Sequence, residues 1–298
     1  MNSSDNFQDS ALSRLMPLMN SSFTPGQAQA TVDNFQDLDQ RQIAQAELYY
    51  FSGRAKECRN IAELYLQDKD LCLRLSAALL YSFSNLTLGN PSASRMGFRN
   101  IQECLLLAKD SSAPKGIMAS CVFANYLVMV LMHLPTDGLP PLQDFLPSLP
   151  SGLRAYAVYI LAHNAYLHKE YKRALGLCQS VFLMLDGCYP VAMEYLYCVI
   201  IMCLINLKQQ DEAREALIKA WNMAKPDGFL EPFIEHHGLM LGQIEACIKP
   251  AEPESYRQLS QAVIAFSRGW MAIHNPQLQS SVTDKLTPME YSIAMLAS

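Results

Sequence analysis

At 298 residues the chain is long enough for one large domain or two ordinary ones with a substantial buried core. Half of it is apolar and 17% is charged, a balance that excludes intrinsic disorder. A net charge of −5, with no dense Lys/Arg cluster, argues against a nucleic-acid surface within these residues.

Residues 1–26 are rich in Ser, Asn and Met and close on Thr24-Pro25-Gly26. They read as a flexible leader with one short helix around Ala11–Met19. No basic stretch followed by an apolar core opens the sequence, so no secretory signal is expected.

Residues 27–276 read as one helical repeat domain. Leu38–Phe51 and Ala55–Leu66 make a first pair, parted at Ser52-Gly53. Leu71–Ser84 and Phe98–Lys109 follow, separated by a turn at Gly89-Asn90-Pro91-Ser92. Lys115–Leu134 leads into the Pro-rich Leu139–Pro150, which predicts a short helix at most. Leu153–His168 with Tyr171–Leu185, and Val191–Leu207 with Asp211–Ala224, are the cleanest pairs. Val191–Leu207 is the most apolar segment, but it carries Glu194 and is shorter than a membrane span, so a core helix is expected and no membrane. Glu231–Ile248 and Glu254–Ile273 form a sixth pair, closed by Asn275-Pro276.

The first helices recur at intervals of roughly 33 to 44 residues, the spacing of helical-hairpin repeats. Ala46, Ala162 and Ile201 each stand twelve positions before a small residue of the next helix, Cys58, Ala174 and Ala213, where two helices of a hairpin cross closely. This pattern resembles a degenerate tetratricopeptide repeat over about residues 38–275. The resemblance implies an all-α, tetratricopeptide-like superhelix, an α-solenoid.

Nine cysteines are present, none spaced CxxC, and most lie in apolar helical runs; that usage suits a reducing, cytoplasmic setting. No phosphate-binding glycine loop, nucleophile elbow or metal-ligand motif appears, so no catalytic residue, metal or cofactor is expected and the chain does not read as an enzyme. His236 and His237 follow Glu235, but adjacent helical residues diverge by about 100°; they read as a solvated helix end.

In stacked tetratricopeptide-like hairpins the first helices line a concave face. Tyr156, Tyr159, His163 and Tyr166 would stand on it, joined by Glu194 and Tyr195 and by Glu47 and Tyr50. Tyrosine rings with a polar tip suit a groove that binds a small-molecule effector or a peptide. The same stripe would also arise if tyrosine simply fills amphipathic positions between repeats.

Residues 277–298 read as a polar linker followed by a helix start. Thr287 is a ready N-cap, Pro288 suits the first helical position, and Glu290 completes a capping box. The run Leu286-Thr287-Pro288-Met289-Glu290-Tyr291, with Leu296-Ala297, resembles the opening of a LuxR-type helix-turn-helix, with Met289 in place of the usual Arg. Large regulators of that family, the maltose-regulator type included, place a tetratricopeptide-like sensor before such a domain. The resemblance implies a bacterial transcription regulator whose repeats bind an effector or protein partner, governing DNA binding or self-association. DNA would be read only by a domain beyond Ser298. The alternative is a stand-alone adaptor that takes a peptide or protein helix in its groove.

Overall fold

The computed structural model describes residues 12–278, and helices alone make up its regular structure. After a short helix α1 (Ala28–Asp33), helices follow as neighbouring hairpins: α2 (Leu38–Phe51) with α3 (Ala55–Ala62), and α4 (Leu71–Thr87) with α5 (Pro91–Asp110). Then α6 (Lys115–Leu131) packs on a 3₁₀ segment, Leu142–Ser148. Two further hairpins are α7 (Ser151–Leu167) with α8 (Tyr171–Met184), and α9 (Pro190–Asn206) with α10 (Gln210–Ala224). The last elements are the single-turn α11 (Glu231–His236), then α12 (Gln243–Ala251) and α13 (Pro253–Leu278). This is the all-α helical-hairpin superhelix that the repeat spacing predicts. Among the described residues no helix is long and apolar enough to cross a membrane.

Local chemistry accounts for most boundaries. Asp37 and Asp70 cap α2 and α4 by accepting from the second and third backbone N–H groups of each helix. Asn90 caps α5 and Pro91 takes its first position, so the turn expected over Gly89–Ser92 is in fact a helix start. The expected helix Glu231–Ile248 is broken instead, because Leu241 (φ 46°) and Gly242 (φ 83°) enter the left-handed region before α12. α13 runs through Asn275-Pro276 to Leu278 rather than stopping there; a proline in the last turn forfeits little of the hydrogen-bond ladder.

The six residues expected at the hairpin crossings, Ala46, Cys58, Ala162, Ala174, Ile201 and Ala213, are all fully buried. The interior of the superhelix, however, is filled by the chain itself. Residues 12–26, expected to be a loose leader, are a packed segment of turns from Leu12 onward. Leu15, Leu18 and Met19 are core residues. Their backbone is tied down by the buried Glu47, whose carboxyl accepts from Leu18 N and Met19 N at 2.9 Å each, and by Ser76 Oγ on Met16 N.

Distant parts of the sequence are joined directly. Phe23 N donates to Cys188 O, Gly26 N and Ala28 N donate to the Asp227 carboxylate, and Leu230 N donates to Phe51 O. α13 returns across the molecule to pack on α4, α5 and α11. It is latched twice to the C-terminal end of α6: Trp270 Nε1 donates to Leu131 O at 2.9 Å, and His274 Nδ1 donates to Met132 O at 2.8 Å. Arg95 also donates to Ala272 O, at 2.6 Å.

Candidate functional site

On α7, Tyr156, Tyr159, His163 and Tyr166 follow one another at steps of three and four and so share a face. That face meets Tyr195 of α9. The rings of Tyr156, Tyr159 and Tyr195 stand mutually 4.8 to 5.0 Å apart. All three are buried, as are Glu47, Tyr50, His163 and Glu194, while Tyr166 is half-buried and accepts from Asn206 Nδ2. The expected concave-face residues are therefore largely brought together, but inside the molecule. Glu194 stands apart: both its carboxyl oxygens lack a partner.

What completes the cluster is α11. Its helix carries Glu231, Glu235 and His236 into the interior, and the following His237 is buried as well. The expected solvated helix end is thus a buried one, since α11 packs between α2, α9 and α13. His236 Nδ1 lies 2.7 Å from Pro232 O. A carbonyl oxygen can only accept, which assigns the proton to Nδ1 and leaves Nε2 as an acceptor. The Tyr159 hydroxyl, 3.0 Å away, donates to that Nε2. Its oxygen then accepts from His163 Nδ1 at 3.1 Å. His163 Nε2 is left bare and has no partner.

Burial holds the histidines neutral. It pushes His236 down to about 4, and His163 well below its ordinary value with help from His236 and His133. His133, just past the end of α6 with φ 51°, is pushed down to about 3 by burial and by His274 and His236. Its ring packs edge-on against His163 at 5.7 Å and Trp270 at 5.1 Å. Four of the six histidines of the chain thus meet around one point. No three His, Cys, Asp or Glu side chains among the described residues are placed to hold a metal ion.

Glu231 and Glu235 are one turn apart and both are pushed upward, first by burial; for Glu231 the neighbouring Glu235 adds to it. The Tyr50 hydroxyl donates to Glu235 Oε1, whereas Glu235 Oε2 and Glu231 Oε1 have no partner. None of the carboxyls of the buried Glu47, Glu194 and Glu231 or the half-buried Glu235 forms an ion pair with a cation among the described residues.

His163 and Glu235 line a cavity of about 90 Å³ beneath α13, walled by His133, Phe266, Ser267 and Trp270. That is room for several waters or a small ligand. On its inner side Glu235 also borders a void of about 20 Å³ shared with Tyr50, Tyr156 and Tyr195. Of the eight residues expected from the sequence, His163 alone reaches the larger cavity. Glu235, His133, Ser267 and Trp270 are not marked by any local motif. The one available signal is Glu231 and Glu235 at helical spacing beside His236, in a segment otherwise apolar.

No protein-family model matches this chain, and no curated protein matches it.

Proposed function

We propose that the chain is the regulatory, effector-binding part of a bacterial, cytoplasmic transcription regulator of the LuxR type, with the cavity beneath α13 as its effector site. The observation that carries the site is the cavity itself, which brings the polar side chains of His163, Glu235 and Ser267 together with Phe266 and Trp270 beneath α13.

The regulatory half of the proposal rests on the resemblance over Leu286–Ala297, a stretch outside the described residues. It is supported by the position of the cavity: α13 forms one wall through Phe266, Ser267 and Trp270, and its C-terminal end leads directly into residues 279–298. An effector that binds only when α13 is docked shifts the population toward the docked state. Binding rather than catalysis suits a site whose histidines are kept neutral by burial. DNA recognition is assigned to none of the described residues, in keeping with the net charge of −5. The adaptor reading is weaker, because a peptide in the concave groove would have to displace Leu15, Leu18, Met19 and α11.

The test is to fill the cavity. Ser267→Leu adds volume at a buried wall position. Metabolites that raise the melting temperature of the parent should fail to raise that of the variant, since ligand binding to the native state stabilises by mass action. Equal stabilisation of both proteins would place binding elsewhere.

A further inference from the structure

If the cavity beneath α13 is the effector site, the groups that remain accessible on its wall select the kind of effector. We infer that it takes a small uncharged molecule, a hydrogen-bonding group on a short apolar body in the manner of a simple amide or alcohol, held by His133 and Ser267; the inference rests on the reading of the cavity given above. His133 lines the cavity just past the end of α6 and is half-buried. The neighbouring rings have spent their N–H groups: Trp270 donates to Leu131 O and His274 to Met132 O. Neither ring nitrogen of His133 has a hydrogen-bond partner among the described residues, and neither is closed off from the surface as His163 Nε2 is. Burial, with His274 and His236 nearby, lowers His133 to about 3 and so keeps it neutral. A neutral imidazole presents one N–H and one lone pair.

Ser267 lines the same cavity from α13 and is 8% exposed. Other buried helical serines give their hydroxyls to the carbonyl four residues back: Ser76 to Cys72 O, Ser82 to Ala78 O and Ser120 to Gly116 O. Ser267 makes no such bond among the described residues, and its Oγ is not closed off either. An imidazole and a hydroxyl, each able to donate and to accept, are thus uncommitted at one cavity. Leu131, Ile234, Phe266 and Trp270 make much of the remaining wall apolar, which suits a ligand with a carbon body.

The wall offers no charge to an ion. No Lys or Arg is among the lining residues, so an anion would lose its hydration without a counter-charge. Glu235 accepts from Tyr50, its second oxygen is almost without accessible surface, and burial raises its carboxyl to about 7. A cation therefore finds no free carboxylate. Size narrows the class further: an apolar cavity of about 150 Å³ accommodates benzene, so about 90 Å³ suits a ligand of about four heavy atoms.

Acetamide and 2-propanol are uncharged probes of that size, and acetate and acetamidinium are their charged counterparts. Each is added at about 20 mM, because so small a ligand cannot bind tightly, with ionic strength balanced by NaCl. The expected result is a rise in melting temperature of about 2–4 °C with acetamide or 2-propanol and none with either ion, lost in His133→Gly and in Ser267→Leu. His133→Gly removes the imidazole at a φ of 51°, which glycine adopts without strain, so the turn after α6 is kept even if Ser267→Leu should disturb α13. A rise that survives in His133→Gly overturns the inference, because the imidazole is then not what holds the ligand. If acetate or acetamidinium stabilises the parent as well as acetamide does, and Ser267→Leu abolishes the effect, the cavity is an effector site and the uncharged class is overturned. Should none of the four probes act, a broad metabolite panel decides: uncharged hits lost in both variants uphold the class, and charged hits lost in Ser267→Leu overturn it while leaving the site. With no Ser267→Leu-sensitive hit at all, both the inference and the site reading fall.

Discussion

The Pro232 carbonyl fixes the proton of His236 and, through the single hydroxyl of Tyr159, that of His163 on a different element, leaving His163 Nε2 without a partner. The periodicity of α7 makes Tyr156, Tyr159 and His163 legible as one face, but not the identity of their partner. His236 comes from a six-residue helix with too few turns to show a periodicity of its own. Glu194 is the contrasting case. Its carboxyl is wholly buried, both oxygens lack partners, and burial followed by repulsion from Asp227 drives its pKa up, which favours the neutral form. It lines neither of the two cavities described above. Replacing a buried, unpaired polar group by an apolar one of similar shape removes a desolvation cost, so Glu194→Met is expected to stabilise the fold by about 1–3 kcal/mol. Urea denaturation at pH 7 measures this, and a loss of stability would mean that the carboxyl has a role its surroundings do not reveal.

At the scale of elements, the boundaries of α2, α7, α8, α9 and α10 lie within two residues of those that capping, apolar spacing and turn residues predict. What those signals do not contain is which surface a helix meets. On α13, Leu259, Val263, Phe266, Trp270 and Ile273 mark one apolar stripe, which says that the helix is docked but not that it returns to α4 and closes over a cavity. The same holds for residues 12–26: a Ser- and Asn-rich composition suggests a loose segment, yet Leu15, Leu18 and Met19 reach the core and Glu47 satisfies their backbone. One residue of α13 shows its docking with particular force. A Cβ at Gly269 would stand 2.1 Å from Leu86 O, a backbone atom that cannot rotate away. Gly269→Ala should therefore lift α13 from the end of α4, with a loss of more than about 2 kcal/mol. Hydrogen exchange is the fitting measurement: protection should fall in α13 and in residues 131–134 while α7 to α10 remain protected, and unchanged protection in α13 would contradict the latch.

The whole molecule carries two opposed sets of buried titratable groups, and they set how stability follows pH. Burial raises Glu47 from 4.5 to about 8, its hydrogen bonds from Leu18 and Met19 notwithstanding, and raises Glu194 and Glu231 as well. It lowers His133 from 6.5 to about 3 and His236 from 6.5 to about 4. Between pH 6.5 and 8 only the carboxyls differ between states: folded, they hold protons that the unfolded chain has lost, so stability falls as pH rises. Below pH 4.5 the histidines act in the other direction: the unfolded chain binds protons that the folded one refuses, so stability falls as pH falls. From 4.5 to 6.5 the two sets oppose each other, and the maximum belongs there. Each group contributes at most about 1.4 kcal/mol per pH unit, so Glu47, Glu194, Glu231 and Glu235, all raised, together make stability decline from neutral pH toward pH 8. Urea midpoints taken across pH 4 to 9 should peak on the acid side of neutrality. A maximum near pH 8 would instead show that the two backbone N–H groups hold Glu47 as a carboxylate in the folded protein, with hydrogen bonding outweighing burial at that position.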